Sequence, residues 1–450
     1  MMRKRENVIQ EVAAVAERLL RKIAAQKRTV DLHDIEMTVR EASSAIDRLL
    51  LKGAVDEVGT GYSGSKIRCE CGGKLKFVGN RPFVVTTLSG EVRIERAYYH
   101  CDRCGASKVP IGEQLKLSGS HFSEGVINNL SYCCAELPFE PASELMGRLT
   151  GIYVSPKEAQ ILSESIGKET GEELDEQAEV AMKDGLDTDA RPERLYMAID
   201  GVMINEQDGW HEAKTAAIYD AKEQINADGS KEDVANEITY VARGGSPDEL
   251  IGYISVEAQR RGVEYAKELI VLGDGAAWIW NMVRSYFPGA IQIIDWYHAS
   301  EHVWRLGRVL WDGDEERCKC WVEEQLEVLK DVRVEDLITK LAGIVGLSDE
   351  AASERDKLMK YLQDNRDRMR YDEYRAKGYH IGSGVVESAC KHVVQMRHKR
   401  SGMRWSASGA QEVLNLRVFL LNGRWDDFWR RRRQEGVSDS HMLAGSTKAA

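Results

Sequence analysis

The chain has 450 residues, of which 43% are hydrophobic and 30% charged, a balance that fits globular domains and excludes a disordered or fibrous chain. No apolar run approaches the ~20 residues needed to cross a bilayer, so no membrane partner is expected. The net charge of −11 argues against a uniformly basic nucleic-acid binder. The charge is segregated, however: acids crowd 167–180 and 311–331, while bases crowd the stretch after Lys391 and the run 429–434. A polyanion would meet these local patches within about 10 Å.

In chain order, residues 1–62 read as a helical arm. Val8, Val12, Val15, Leu19, Leu20 and Ile23 fall on one stripe, and Gly59, Gly61 and Gly64 end the pattern. Acids interrupt its basic lead, so it does not read as a secretion signal, and a cytoplasmic protein is expected. Residues 63–115 form a zinc-ribbon-like pattern. Four of the nine cysteines, Cys69, Cys71, Cys101 and Cys104, flank alternating segments that turn near Ser89-Gly90. Four thiolates suit a closed structural zinc site. The first pair has a one-residue spacing, which leaves His100 as a substitute for Cys69.

Residues 116–190 read as a helical, helix-turn-helix-like DNA-binding region. Gly151 marks a turn, Ser155 caps the next helix and Pro156 opens it. Lys157 and Gln160 would face DNA. Residues 191–305 change pattern: three strands, a helix, a strand, a helix and a strand. This is the order of a ribonuclease-H-like α/β core with a mixed sheet. Its apolar strands are predicted to end at Asp200, Asp274 and Asp295. A helical insertion over 306–376 separates this part from the core's final helix, 377–425, and a basic tail occupies 426–450.

Asp200 and Asp274 each follow an apolar run and precede a glycine. Two such acids on neighbouring strands, with Glu387 arriving on a helix, would suit two magnesium ions, or manganese, and phosphodiester chemistry. On that helix Val385, Val386, Ala389, Cys390, Val393 and Val394 would be buried. Lys391, Arg397, His398, Lys399, Arg400 and Arg404 would meet DNA phosphates.

The segments MAIDGV, VLGDGAAWIW, FPGAIQIIDWYHASEH, GSGVVESACKHVV and RSGMRWS, in this order, resemble transposases of the ISKra insertion-sequence group. Those are DDE transposases with an RNase-H-like core, related to the Mutator type. The resemblance runs from the cysteine pairs to NGRWDDFW. It implies a catalytic triad at Asp200, Asp274 and Glu387, with Asp295 and His298 as an accessory D-x-x-H element. It further implies metal-dependent cleavage and transfer of double-stranded DNA at terminal inverted repeats, in a nucleoid-associated complex. A homodimer or higher oligomer is expected by analogy, because two ends must meet. Two other readings are a non-enzymatic DNA-binding regulator and a zinc peptidase. The latter rests on His298, Glu301 and His302, which match H-x-x-E-H.

Overall fold

The computed structural model describes residues 2–25, 31–117, 120–225, 231–382 and 384–435. It is a mixed α/β chain with two sheets and many helices. The chain divides into two compact units: Met1–Ser163 with Trp425–Ala450, and Glu164–Arg424.

The first unit opens with a hairpin of two helices, Met2–Ala25 and Leu32–Val58. The predicted stripe faces the partner helix, and Val8 meets Gly53, except that Leu20 stays exposed at 66%. Strands β1 (Lys66–Arg68), β2 (Lys74–Thr87), β3 (Gly90–His100) and β4 (Ser107–Lys108) then form an antiparallel sheet in chain order. The β2–β3 loop is Leu88-Ser89, with Gly90 at φ 103° already paired to Thr87.

After the short helix Pro110–Gln114, three longer helices follow: Glu124–Glu136, Phe139–Thr150 and the start of Pro156–Lys183. Val126, Leu130, Ala142, Met146, Val154 and Ala159 interlock between them. Gly151 closes the second helix in the left-handed conformation. Ser155 accepts from the Glu158 amide at 3.2 Å while the Glu158 carboxylate accepts from Ser155, a capping box. The closing helix Trp425–Glu435 belongs to this unit. The arginine run there is partly buried. Arg432 is buried and pairs with Glu124, beside buried Trp425, Phe428 and Trp429. Residues 436–450 of the expected tail lie outside the described residues.

The second unit holds β5 (Arg194–Glu206), β6 (Gly209–Ile225), β7 (Lys231–Arg243), β8 (Glu268–Gly273) and β9 (Ile291–Ile294). Their order across the sheet is β7-β6-β5-β8-β9. β5, β6 and β7 pair antiparallel, whereas β8 and β9 run parallel to β5. Leu195–Ile199 is buried without a break, as a strand covered on both faces must be. The helix Pro247–Arg260, capped by Ser246 and Glu249, links β7 to β8 and packs on β6 and β7. The helix Ala277–Tyr286 links β8 to β9. Helices Trp296–Leu310, Glu315–Asp331, Val334–Ala342 and Asp349–Asn365 then pack on one another before the chain returns to the sheet.

Candidate functional site

The parallel ladder between β5 and β8 ends at the pair Ile199–Gly273. Asp200 and Asp274 are the next residues, on chains about 4.8 Å apart. Asp274 follows the last residue of β8, and its Oδ1 accepts from the Ala276 amide at 2.8 Å. Asp200 does not end its strand, contrary to the sequence expectation. β5 continues to Glu206, because buried Val202 and Ile204 keep it paired with β6. What ends at Asp200 is the parallel partner. Asp295, buried at 2% exposure, is also not a strand residue. It caps the helix Trp296–Leu310, accepting from the Tyr297 and His298 amides at 2.8 and 3.1 Å.

Asp200 is half-buried. Its Oδ1 accepts from the Gly201 amide at 2.7 Å, and its Oδ2 accepts from the Cys390 thiol at 3.3 Å. Burial raises its pKa above the usual carboxylate range, and the Asp274 charge adds to the rise. The Gly201 amide, His298 and Cys390 oppose it. A carboxyl whose folded pKa is raised costs stability once pH exceeds its unfolded value.

Glu387 lies in the helical turn Gly384–Ala389, which packs on β5 and β6. Cys390, one turn later, reaches Asp200, so the helix of the third acid touches the first acid through a thiol. Burial, then Asp200, then Glu387 hold that thiol far above its ordinary pKa. The helix is not regular: Cys390–Gln395 is a π segment. Buried Arg417 donates Nε to the Val393 carbonyl at 2.9 Å and also reaches the His392 carbonyl, which engages the widened turn. Ala389, Cys390, Val393 and Val394 are buried as expected and Val385 is partly so; the Val386 side chain lies outside the described residues. Glu387 is exposed, and among the described residues no ion pair joins it to Lys391.

Among the described residues, three or more ligating groups come within 4.8 Å of one another at Cys69, Cys71, Cys101 and Cys104, and at Glu206, Asp208 and His211. The three acids do not close to that distance. Magnesium uses one or two protein carboxylates and keeps sites for water and phosphate, so the Asp200–Asp274 pair is the group that could hold one. His298 and His302 belong to neither cluster. His302 stacks on Tyr361 with centroids 3.9 Å apart.

The four cysteines sit in two tight turns, between β1 and β2 and between β3 and β4. Sγ atoms lie 3.5 Å apart for Cys69–Cys71, 3.6 Å for Cys69–Cys104 and 3.7 Å for Cys71–Cys101. Backbone amides of Cys104 and Arg103 lower Cys101 to about 7. The cluster suits a metal ion that prefers thiolates. His100 stands apart, with Nδ1 3.4 Å from the Ser107 hydroxyl, so Cys69 and not His100 completes the set.

A family model described as an uncharacterised protein family, UPF0236, matches residues 26–435. The chain belongs to UPF0236. It is 23% identical over 444 residues to a UPF0236 protein of Caldanaerobacter subterraneus subsp. tengcongensis, covering 93% of this chain and 82% of that one. A second protein of that organism is 23% identical over 359 residues, 75% of this chain and 68% of its own length. A Streptococcus gallolyticus relative, named as a UPF0236 protein in the vanSb 3′ region, is 23% identical over 398 residues, 81% of this chain and 82% of its own.

In this UPF0236 chain the basic stretch after Glu387 is mixed. Lys391, Lys399, Arg400 and Arg404 are exposed, as is Lys157 on its helix, where Gln160 is half-buried. Arg397 and His398 are corrections: at 0% and 1% exposure they reach no phosphate. Both pack on Trp405, whose own indole donates to the His398 carbonyl at 3.2 Å. Their burial comes from residues further along the chain, Trp405 and Ala410.

Burial, followed by the Arg397 charge, pushes His398 down to about 3. The unfolded chain takes up a proton near pH 6.5 that the folded His398 refuses, so stability falls as pH drops below that value. From pH 6.5 to 5 the expected loss from this group is roughly 2 kcal/mol. Denaturant unfolding of His398→Gln should lose correspondingly less over the same pH range, and equal losses would contradict this.

Proposed function

We propose that this chain is a DNA transposase of an insertion sequence, with a ribonuclease-H-like core that cuts and joins DNA at terminal inverted repeats. The observation that carries the reading is the juxtaposition of Asp200 and Asp274 on neighbouring parallel strands, with the Glu387 helix bonded to Asp200 through Cys390. The strand order supports it. Counted from β5 it is third, second, first, fourth, fifth, with the first three antiparallel, as in a ribonuclease-H-like sheet. The helices between β9 and Glu387 match the helical insertion that the resemblance implies. The name of one Caldanaerobacter relative strings together eleven designations from one organism, as expected of a sequence copied many times in a genome.

Divalent ions, magnesium or manganese, would supply an activated water and stabilise the leaving oxygen. Asp200, Asp274 and Glu387 would hold them. Lys391, Lys399 and Arg400 would grip backbone phosphates without reading sequence. The four cysteines would hold zinc in a ribbon, and that ribbon with the helical region 116–190 would bind the element's ends.

A plasmid carrying the gene and its flanking DNA is the test substrate. The wild type should nick it in magnesium or manganese but not in excess chelator. A non-enzymatic regulator would bind the same DNA and leave it intact. Glu301→Gln should retain cleavage within a few-fold; it would abolish the action of an H-x-x-E-H peptidase, in which that acid is the base.

A further inference from the structure

Tyr361 lies in the helix Asp349–Asn365, and the reaction above gives it no part. Its hydroxyl donates to the backbone carbonyl of Asp274 at 3.1 Å. Its ring stacks on His302 at 3.9 Å and 23°. The Asn365 side chain donates to the Tyr361 carbonyl at 3.0 Å. A β-carbon at Gly275 would lie 2.9 Å from Tyr361 Cε2, so ring and glycine backbone are in close contact.

The Asp274–Gly275 peptide is the soft joint of the site. Gly275 has φ 104°, and glycine passes between backbone basins at little steric cost. A rotation there would swing the Asp274 carbonyl and break the turn in which Asp274 Oδ1 accepts from Ala276. The Asp274 carboxylate would then turn relative to Asp200. Tyr361 blocks that rotation twice, by holding the carbonyl and by filling the space over the glycine.

We propose that Tyr361 is a positioning residue for Asp274, with His302 holding its ring in place. This rests on the metal-binding reading of the two aspartates. It assigns to the helical insertion the task of fixing the second acid. It also gives His302, left over from the H-x-x-E-H pattern, a use that needs no zinc.

The test is Mn2+ binding to the full chain, read as loss of the free-ion paramagnetic resonance signal, beside thermal unfolding in chelator. Tyr361→Phe removes one hydroxyl and keeps the ring. Its Mn2+ affinity should fall about tenfold, the scale expected when the partner of a metal ligand is lost. Its metal-free midpoint should fall by no more than about 4 °C, the scale of one lost hydrogen bond. His302→Leu should weaken Mn2+ in the same direction by a smaller factor. Wild-type affinity in Tyr361→Phe overturns the proposal, even if the midpoint drops, because a purely structural hydroxyl would behave so. A wild-type chain that binds no more Mn2+ than Asp274→Asn overturns the metal reading and this proposal together.

Discussion

Asp200→Asn is expected to lose strand cleavage by about 10³-fold or more and, at the same time, to melt higher than the wild type in chelator. The first effect follows from what a metal ligand supplies. Several kcal/mol of transition-state stabilisation go with it, and each 1.36 kcal/mol is tenfold in rate. The second follows from burial and the neighbouring Asp274 charge, which raise the Asp200 pKa. At pH 7 the surroundings disfavour the charged form of this carboxyl relative to water, and this costs stability. Asparagine removes the charge and keeps the shape. The amide can still accept from Gly201, as Asp200 Oδ1 does at 2.7 Å. Manganese should raise the wild-type midpoint and leave that of Asp200→Asn nearly unmoved. Below about pH 4 the gap between the two proteins in chelator should close, because both side chains are then neutral. Asp274→Asn and Glu387→Gln should match the loss of cleavage. DNA retention by all three should persist, since the exposed Lys391, Lys399 and Arg400 are untouched. Full cleavage by Asp200→Asn would remove the catalytic assignment. A lower metal-free midpoint would show that the carboxylate is stabilised in the fold by something other than a cation.

What could be read from the sequence was local. Ser246 and Ser155 announce their helices because the cap and its partner lie three residues apart. The runs around Asp200 and Asp274 read as strands because apolar residues run unbroken there, and the alternation of the cysteine-flanked segments reads as a hairpin. What could not be read was set by distant partners. The π turn after Glu387 coincides with Arg417, which lies 24 residues from the carbonyl it engages. The burial of Arg397 and His398 comes from the packing of Trp405 and the helix after it. Tyr361 meets Asp274 across 87 residues and carries no local mark at all. The continuation of β5 beyond Asp200 was legible in principle, since Val202 and Ile204 keep period-two alternation, but the acid drew the boundary too early. The resemblance and the family membership speak to different levels: UPF0236 assigns the chain to relatives, and the acids alone suggest a chemistry.

Cys101→Ser should reduce zinc content from one equivalent per chain to none and destabilise the hairpin by several kcal/mol, given the ~10–16 kcal/mol of zinc binding in small finger domains. The reason is the size of the core beneath it. Leu75, Ala97 and Tyr99 are its buried residues apart from Cys69 and Cys101 themselves, so two ligands double as core. So small a core is insufficient by itself for the cysteine end of the hairpin, whose far end packs separately through Val85, Val92 and Ile94. Tyr99 extends the effect, because its hydroxyl ties Ser63 and Gly64 at 2.8 and 2.9 Å, the segment that follows the helical arm. Loss of the ion should therefore expose backbone amides at the cysteine end of the hairpin to hydrogen exchange, from Ser63 to Phe77 and from Ala97 to Ser107. His100→Ala should keep its zinc, since that ring faces Ser107 instead of the thiols. Zinc release should follow acidification, because each thiolate must be protonated for the ion to leave. Elemental analysis of the purified wild type decides the matter: a chain that carries no zinc, and whose exchange pattern is the same for Cys101→Ser, would leave the four thiols as ordinary packing.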